Sequence, residues 1–146
     1  MAIYVENPKT KILDDESYDL ADDTTINSSA TDNWLYCAVA FAGSLATASA
    51  KVTAPTSGGR IAGIIKDPDA SYSKKVPAGV CVLGITPARL TAAAVDAGAE
   101  LMVGDTHGRL CTATGSGSYV VGRALQGSAG KLDTIIPVEM FGQYKV

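Results

Sequence analysis

The spacing of its turn residues is what most restricts the fold of this chain. From residue 51 onward, short β-prone runs alternate with Gly, Pro, Ser and Asp. Lys51-Val52-Thr53 stops at Ala54-Pro55, with Ser57-Gly58-Gly59 next; Ile61 to Ile65 leads into Asp67-Pro68-Asp69; and Val80 to Ile85 ends at Thr86-Pro87. Leu101 to Val103 meets Gly104-Asp105-Thr106-His107-Gly108, and Leu110 to Ala113 runs into Gly115-Ser116-Gly117. Tyr119 to Leu125 is followed by Gly127 to Gly130, and Thr134 to Met140 closes the series. Such residues supply the backbone dihedrals that tight turns require. Short strands at this spacing predict an all-β fold, a small sandwich or barrel with Gly/Pro-rich turns. Only Leu90 to Leu101 carries helix-favouring alanines and leucines, and Thr91, Val95 and Gly98 oppose them, so at most one short helix is expected.

Upstream the pattern changes twice. Trp34 to Phe41 is apolar on both faces and ends at Gly43-Ser44. Periodicity does not separate a buried strand from a buried helix there, although its aromatic and β-branched residues favour a strand. Before it, Lys11 to Asn33 mixes Asp14, Asp15, Glu16, Asp19, Asp22 and Asp23 with Thr, Ser and Asn. Its apolar residues, Ile12, Leu13, Leu20 and Ile26, are too sparse to mark a strand or helix face. The expected organisation is an extended N-terminal arm over residues 1–33 and a β-rich domain over residues 34–146. Within the arm, Ile3-Tyr4-Val5 is β-prone and suited to joining an exposed sheet edge, including that of a neighbouring chain.

Composition narrows the function classes. The 146 residues suit one compact domain, and 47% hydrophobic content is enough to build a core. Twelve Lys and Arg against fifteen Asp and Glu give a net charge of −3, which leaves phosphate-driven nucleic-acid binding without a basis. The start MAIYVENPKTK lacks the apolar centre of a secretory signal. The apolar stretch from Trp34 to Ala42 is far shorter than the ~18 residues of a membrane span. The expectation is therefore no nucleic acid, no membrane, and synthesis in the cytoplasm. Cys37, Cys81 and Cys111 form no C-x-x-C pair, and His107 is the single histidine. A zinc site would have to gather all four from scattered places, so reduced, buried thiols are the plainer expectation.

No constellation for catalysis stands out. A Ser, Cys or Thr nucleophile needs a base in hydrogen-bond reach, and His107 falls in a turn, where an exposed and inert imidazole is expected. Gly115-Ser116-Gly117-Ser118 is a polar loop rather than a nucleophile elbow, and Ser57-Gly58-Gly59-Arg60 lacks the spacing and Lys of a phosphate loop. Asp67, Asp69, Asp96, Glu100, Asp105, Asp133 and Glu139 are scattered, with no acid–base pair evident. Asp14, Asp15 and Glu16 lack the spacing of a calcium loop. The aromatics are few and not interleaved with Lys or Arg, unlike a base-stacking platform. No catalytic, cofactor-binding or metal-ligating residue is assigned. Trp34 and Tyr36 are read as anchors of the core or, because Trp and Tyr dominate binding hot spots, of an interface.

The order of segments in the carboxyl half carries a resemblance. Arg60-Ile61-Ala62-Gly63-Ile64-Ile65 is followed by Ala78-Gly79-Val80-Cys81-Val82-Leu83-Gly84-Ile85 and Ala97-Gly98-Ala99-Glu100-Leu101-Met102-Val103. Gly108-Arg109-Leu110, Ser118-Tyr119-Val120-Val121-Gly122-Arg123-Ala124-Leu125 and Thr134-Ile135-Ile136-Pro137-Val138 come next. From about Leu45 to Met140 this succession resembles the small capsid decoration, or cement, proteins of tailed bacteriophages. The resemblance rests on the order of the motifs, none of which is specific alone. It implies a structural, non-enzymatic virion protein on the capsid exterior that needs no cofactor. Its partners would be the major capsid protein and further copies of itself, as a trimer or dimer. On this reading Ile3, Tyr4, Val5, Trp34 and Tyr36 are the candidate capsid or subunit interface residues. The alternatives are a head-fibre or adhesion module that contacts a host or glycan and, more remotely, a small β-fold hydrolase.

Overall fold

The computed structural model describes residues 11–20, 35–42, 51–66 and 78–146. The fold is all-β, and no helix occurs among the described residues. Its strands are β1 (Lys11–Leu20), β2 (Ala38–Ala42), β3 (Lys51–Thr53), β4 (Gly63–Ile65), β5 (Ala78–Arg89), β6 (Glu100–Val103), β7 (Leu110–Thr112), β8 (Tyr119–Ala124) and β9 (Ile135–Lys145). They form one curled sheet in the order β1-β3-β2-β4-β5-β9-β8-β6-β7, antiparallel apart from the short β1–β3 pairing.

The curl follows from β5, which is long enough to serve two neighbours along one edge. Its first part pairs with β4, Cys81 lying opposite Ile64, and its second part pairs with β9 from Gly84 to Arg89. The two branches diverge there, and each returns to β5. On one side β4, β2 and β3 lead to β1, which pairs back along the other edge of β5 from Ala78 to Ile85. On the other side β9, β8 and β6 lead to β7, and an isolated parallel bridge joins Leu110 to Leu90, just beyond β5. Curling of this kind hides the unpaired edges that a flat sheet would expose to aggregation.

Each branch encloses its own core. The larger contains Leu90, Leu101, Val103, Leu110, Val121, Ile136, Val138 and Met140, and the smaller contains Val39, Val52, Ala62, Ile65 and Val80. Between them stand β2, β4 and β5, whose successive residues point to opposite cores. Ala38, Ile64 and Cys81 enter the larger one, while Val39, Ile65 and Val80 enter the smaller. A strand covered on both faces must be apolar at every position rather than at alternate ones. That requirement explains the unbroken runs Cys37-Ala38-Val39, Ile61 to Ile65 and Val80-Cys81-Val82. Gly84 adopts φ 112°, and the side-chain alternation of β5 shifts there: even-numbered Val80 faces the smaller core, whereas even-numbered Ala88 and Leu90 face the larger. Glycine reaches that dihedral without steric cost.

Three expectations meet the structure with different results. The stretch after Trp34 is a strand over Ala38–Ala42. The helix candidate Leu90 to Leu101 is not one: the chain runs as irregular backbone up to Ala99, with Val95 buried and bridged to Ser128 and with Gly98 at φ 85°, and Glu100 and Leu101 begin β6. Alanine propensity yields there to the burial of Val95 and to a left-handed glycine. Part of the supposed arm is also a strand, since Lys11–Leu20 pairs with β5 and β3. Ladder bonds come from the backbone, so a strand can join an existing edge without an apolar face of its own. The division at residue 33 falls outside the described residues. No helix among the described residues is long and apolar enough to cross a membrane.

Opposite orientation of neighbouring side chains makes a direct test possible. Ile64→Ala and Ile65→Ala are each expected to cost about 2–5 kcal/mol in urea unfolding, because each opens a cavity in a different core. A large loss from only one of the pair would mean that only one face of β4 is a core face.

Candidate interaction surface

Tyr36 is the one sequence-chosen interface residue that lies among those described; Ile3, Tyr4, Val5 and Trp34 fall outside them. It sits in the turn before β2 at φ 69°, a region that non-glycine residues seldom adopt. Backbone bonds on both sides hold it there. Its N–H donates to the Ile65 carbonyl at 2.7 Å, and its carbonyl accepts the Arg89 N–H at 2.9 Å. The half-buried ring packs against the larger core, and burial raises the phenol pKa despite the opposing Arg89 charge. Tyr36 therefore works chiefly as a core and turn anchor.

Arg89 ties this turn to an ionic cluster that sequence spacing concealed. Its Nε donates to the Leu35 carbonyl at 2.7 Å, and its terminal nitrogen lies 3.7 Å from Asp133 Oδ1. Asp133 accepts Arg109 Nε at 2.7 Å, and Arg109 reaches Asp105 Oδ2 at 3.1 Å. The other Asp105 oxygen caps its turn by accepting the His107 and Arg109 backbone N–H groups at 2.9 and 3.2 Å. His107 is thus half-buried in a braced turn rather than exposed at a tip. Gly108 follows at φ 79°, and a Cβ there would stand 2.3 Å from the Ala38 carbonyl oxygen, so the turn packs directly on β2. Two guanidinium groups and two carboxylates cancel in charge and join the turns that precede β2, β7 and β9.

Arg109 and Asp133 hold each other in their charged forms. Hydrogen bonding to Asp133 drives Arg109 further into its charged form, and the same bond lowers the Asp133 carboxyl below its ordinary value. Groups fixed in one protonation state make poor proton shuttles, since general acid–base catalysis needs a pKa near the working pH. Cys37, only 1% exposed beside this cluster, has its thiol pushed up to about 12 by burial. Cys111 is half-buried and is also raised, again mainly by burial. All three cysteines are free thiols. Among the described residues, no group of three or more His, Cys, Asp or Glu side chains is close enough to share a metal ion.

A different face offers apolar surface. An open hollow of about 330 Å³ lies beside β2, lined among the described residues by Ala40, Phe41, Arg60 and Ile61. Phe41 is 57% exposed, the highest value among the large apolar side chains of the described residues. The Arg60 guanidinium lies 5.5 Å from the centre of the Tyr119 ring, within cation–π range. Behind the hollow the Gln143 side chain bridges the divergence between β4 and β9. Its Oε1 accepts the Ile61 N–H at 2.8 Å, and its Nε2 donates to the Ile61 carbonyl at 2.7 Å. One amide thereby replaces a missing strand partner. Compared with models of known protein families and with curated proteins, the chain matches none.

Two outcomes follow from the cluster and the thiols. Asp133 is depressed in the folded state, so its contribution is complete above the unfolded carboxylate range (about 3.9) and is lost as pH falls through the folded value. Asp133→Asn keeps a residue that tolerates the left-handed φ of 62° and removes only the charge. It is expected to flatten the fall of the urea midpoint below about pH 4, while water at its 39% exposed side chain limits the size of the effect. Because the thiolate is the reactive species, iodoacetamide at mildly alkaline pH should modify Cys111 before Cys37, which reacts only on unfolding. Peptide mass spectrometry distinguishes the two sites.

Proposed function

We propose that this chain is a structural protein that binds the outside of an assembled tailed-phage capsid and stabilises it by clamping neighbouring capsid proteins. The observation that carries this reading is a division of labour in the domain. Asp105, Arg109, Asp133 and Arg89 are committed to holding turns, while Phe41 and its hollow are presented at the surface. A domain of this kind is suited to contact rather than to proton transfer. The ordered motifs from Arg60 to Val138 add the resemblance to capsid decoration proteins. A protein that binds only the assembled shell stabilises it by mass action, and repetition over the surface multiplies modest contacts through avidity. The major capsid protein and further copies of the chain are the partners in this reading.

A head-fibre or glycan-binding role would call for an aromatic groove with Asp or Asn beside it. Arg60 is the charged residue at the Phe41 hollow among those described, which favours a protein surface over a sugar. Co-sedimentation of the purified chain with expanded, empty heads of the phage that encodes it tests the proposal. Saturable binding and a higher temperature of head disruption are expected. Heads that neither bind the chain nor gain stability from it would rule the reading out.

A further inference from the structure

The chain contains four arginines, and three of them are engaged by carboxylates. Arg89 and Arg109 meet Asp133, and Arg123 meets Glu139. Arg60 differs. Among the described residues it has no carboxylate partner, and its guanidinium lies over the Tyr119 ring, 5.5 Å from the centre. A guanidinium steadied by an aromatic face can still direct its planar N–H fork at an anion.

A second cation shares this side of the sheet. Tyr119 and Lys145 stand directly opposite in the β8–β9 ladder, so their side chains leave the same face. Gln143, two residues earlier on β9, points to that face too, and its amide holds both backbone groups of Ile61, the residue after Arg60. Arg60 and Lys145 are exposed, Tyr119 is half-buried, and Lys145 makes no ion pair among the described residues. Backbone bonds brace the surroundings. The Gly58 N–H donates to the Val103 carbonyl at 2.8 Å, and the Gly58 carbonyl accepts the Tyr119 N–H at 2.9 Å. Just after Lys145, the Val146 N–H donates to the Ser118 carbonyl at 2.9 Å, and a Val146 oxygen accepts the Gly117 N–H at 2.7 Å. The two Gly- and Ser-rich loops around Gly58 and Gly117 thus frame the Arg60–Tyr119–Lys145 group.

We propose that Arg60 and Lys145 bind a carboxylate-bearing segment of a partner protein, with Tyr119 as the positioning residue for the guanidinium. Tyr and Arg dominate interface hot spots, and side chains already held in place lose less freedom on binding. Two cations match one or two Asp or Glu side chains. Nucleic-acid binding draws on many phosphate contacts at once, and the net charge of −3 opposes the approach of a polyphosphate. The inference concerns the chemistry of the partner and holds whether or not that partner is a capsid protein.

NMR titration of the full chain with a capped peptide of alternating Gly and Glu tests this. Saturable shifts are expected at the Arg60 Nε–H and at the Tyr119 and Lys145 amides, and binding should weaken as salt is raised. The same peptide with Gln in place of Glu should leave those signals unmoved. Arg60→Gln and Lys145→Gln should each weaken binding by about threefold or more. Tyr119→Phe keeps the ring and should bind as the wild type does, whereas Tyr119→Leu should bind more weakly. Thermal melts accompany every variant. If Tyr119→Leu melts early, Arg60→Lys replaces it, since it keeps the charge without the planar fork and is expected to lose part of the affinity. Absence of saturable shifts, an equal response to the Gln peptide, unchanged affinity in both Gln variants, or tighter binding of a short single-stranded DNA at the same residues would each overturn the proposal.

Discussion

Burial of β4 and the adjoining parts of β2 and β5 on both faces is the constraint on which the rest of the structure depends. Because Ala38, Ile64 and Cys81 enter one core while Val39, Ile65 and Val80 enter the other, these stretches have no polar face to spare. Two cores can flank one wall only if the sheet divides and turns back on each side. The division occurs along β5, where β4 and β9 occupy successive parts of one edge. Gly84 lets β5 change its facing at that point, and Gln143 fills the gap with a side-chain amide bonded to both backbone groups of Ile61. A buried N–H or carbonyl left without a partner would cost on the order of 1–3 kcal/mol, so bridging such a gap is needed for this arrangement to be stable.

The ionic cluster serves the same architecture at one end. Arg89 leaves the end of β5, holds the turn before β2 through the Leu35 and Tyr36 carbonyls, and meets Asp133 ahead of β9. Arg109 joins Asp133 to the Asp105 turn. An ion pair that is partly buried is weak evidence for net stability, but removal of one partner leaves the other charge uncompensated. With the Arg109 side chain only 13% exposed, the cluster is best understood as a device for register. It determines which turns lie together, and it permits the strained φ of Tyr36 to persist.

These commitments shape the functional reading. Among the described residues, Asp105, Arg109, Asp133 and Arg89 are engaged in structure, and the surface presents an exposed phenylalanine, an arginine stacked on a tyrosine, and the paired rings of Phe141 and Tyr144, 6.3 Å apart near the end of β9. The decoration reading draws on that surface and asks for no group to change its protonation state.

The sequence alone determined the fold class, because Gly, Pro and Asp at short intervals leave no room for long helices and because runs apolar at every position demand burial on both faces. It also located β3, β4, β6, β7 and β8, since each is a β-prone run bounded by turn chemistry, whereas β5 runs on through Pro87 to Arg89 and β9 runs past Met140 to Lys145. Only the tertiary structure decided that Lys11–Leu20 is a strand, for its partner is an edge of β5 some sixty residues or more distant and its own side chains carry no periodic signal. The same holds for the segment after Leu90, where burial of Val95 overrides alanine propensity. The ionic cluster was not legible: Asp105 and Arg109 stand four residues apart in a turn, but Asp133 lies 24 residues beyond Arg109 and Arg89 ends β5. Nothing local in a sequence encodes such a meeting, because the folding of the sheet around two cores is what brings these charges together.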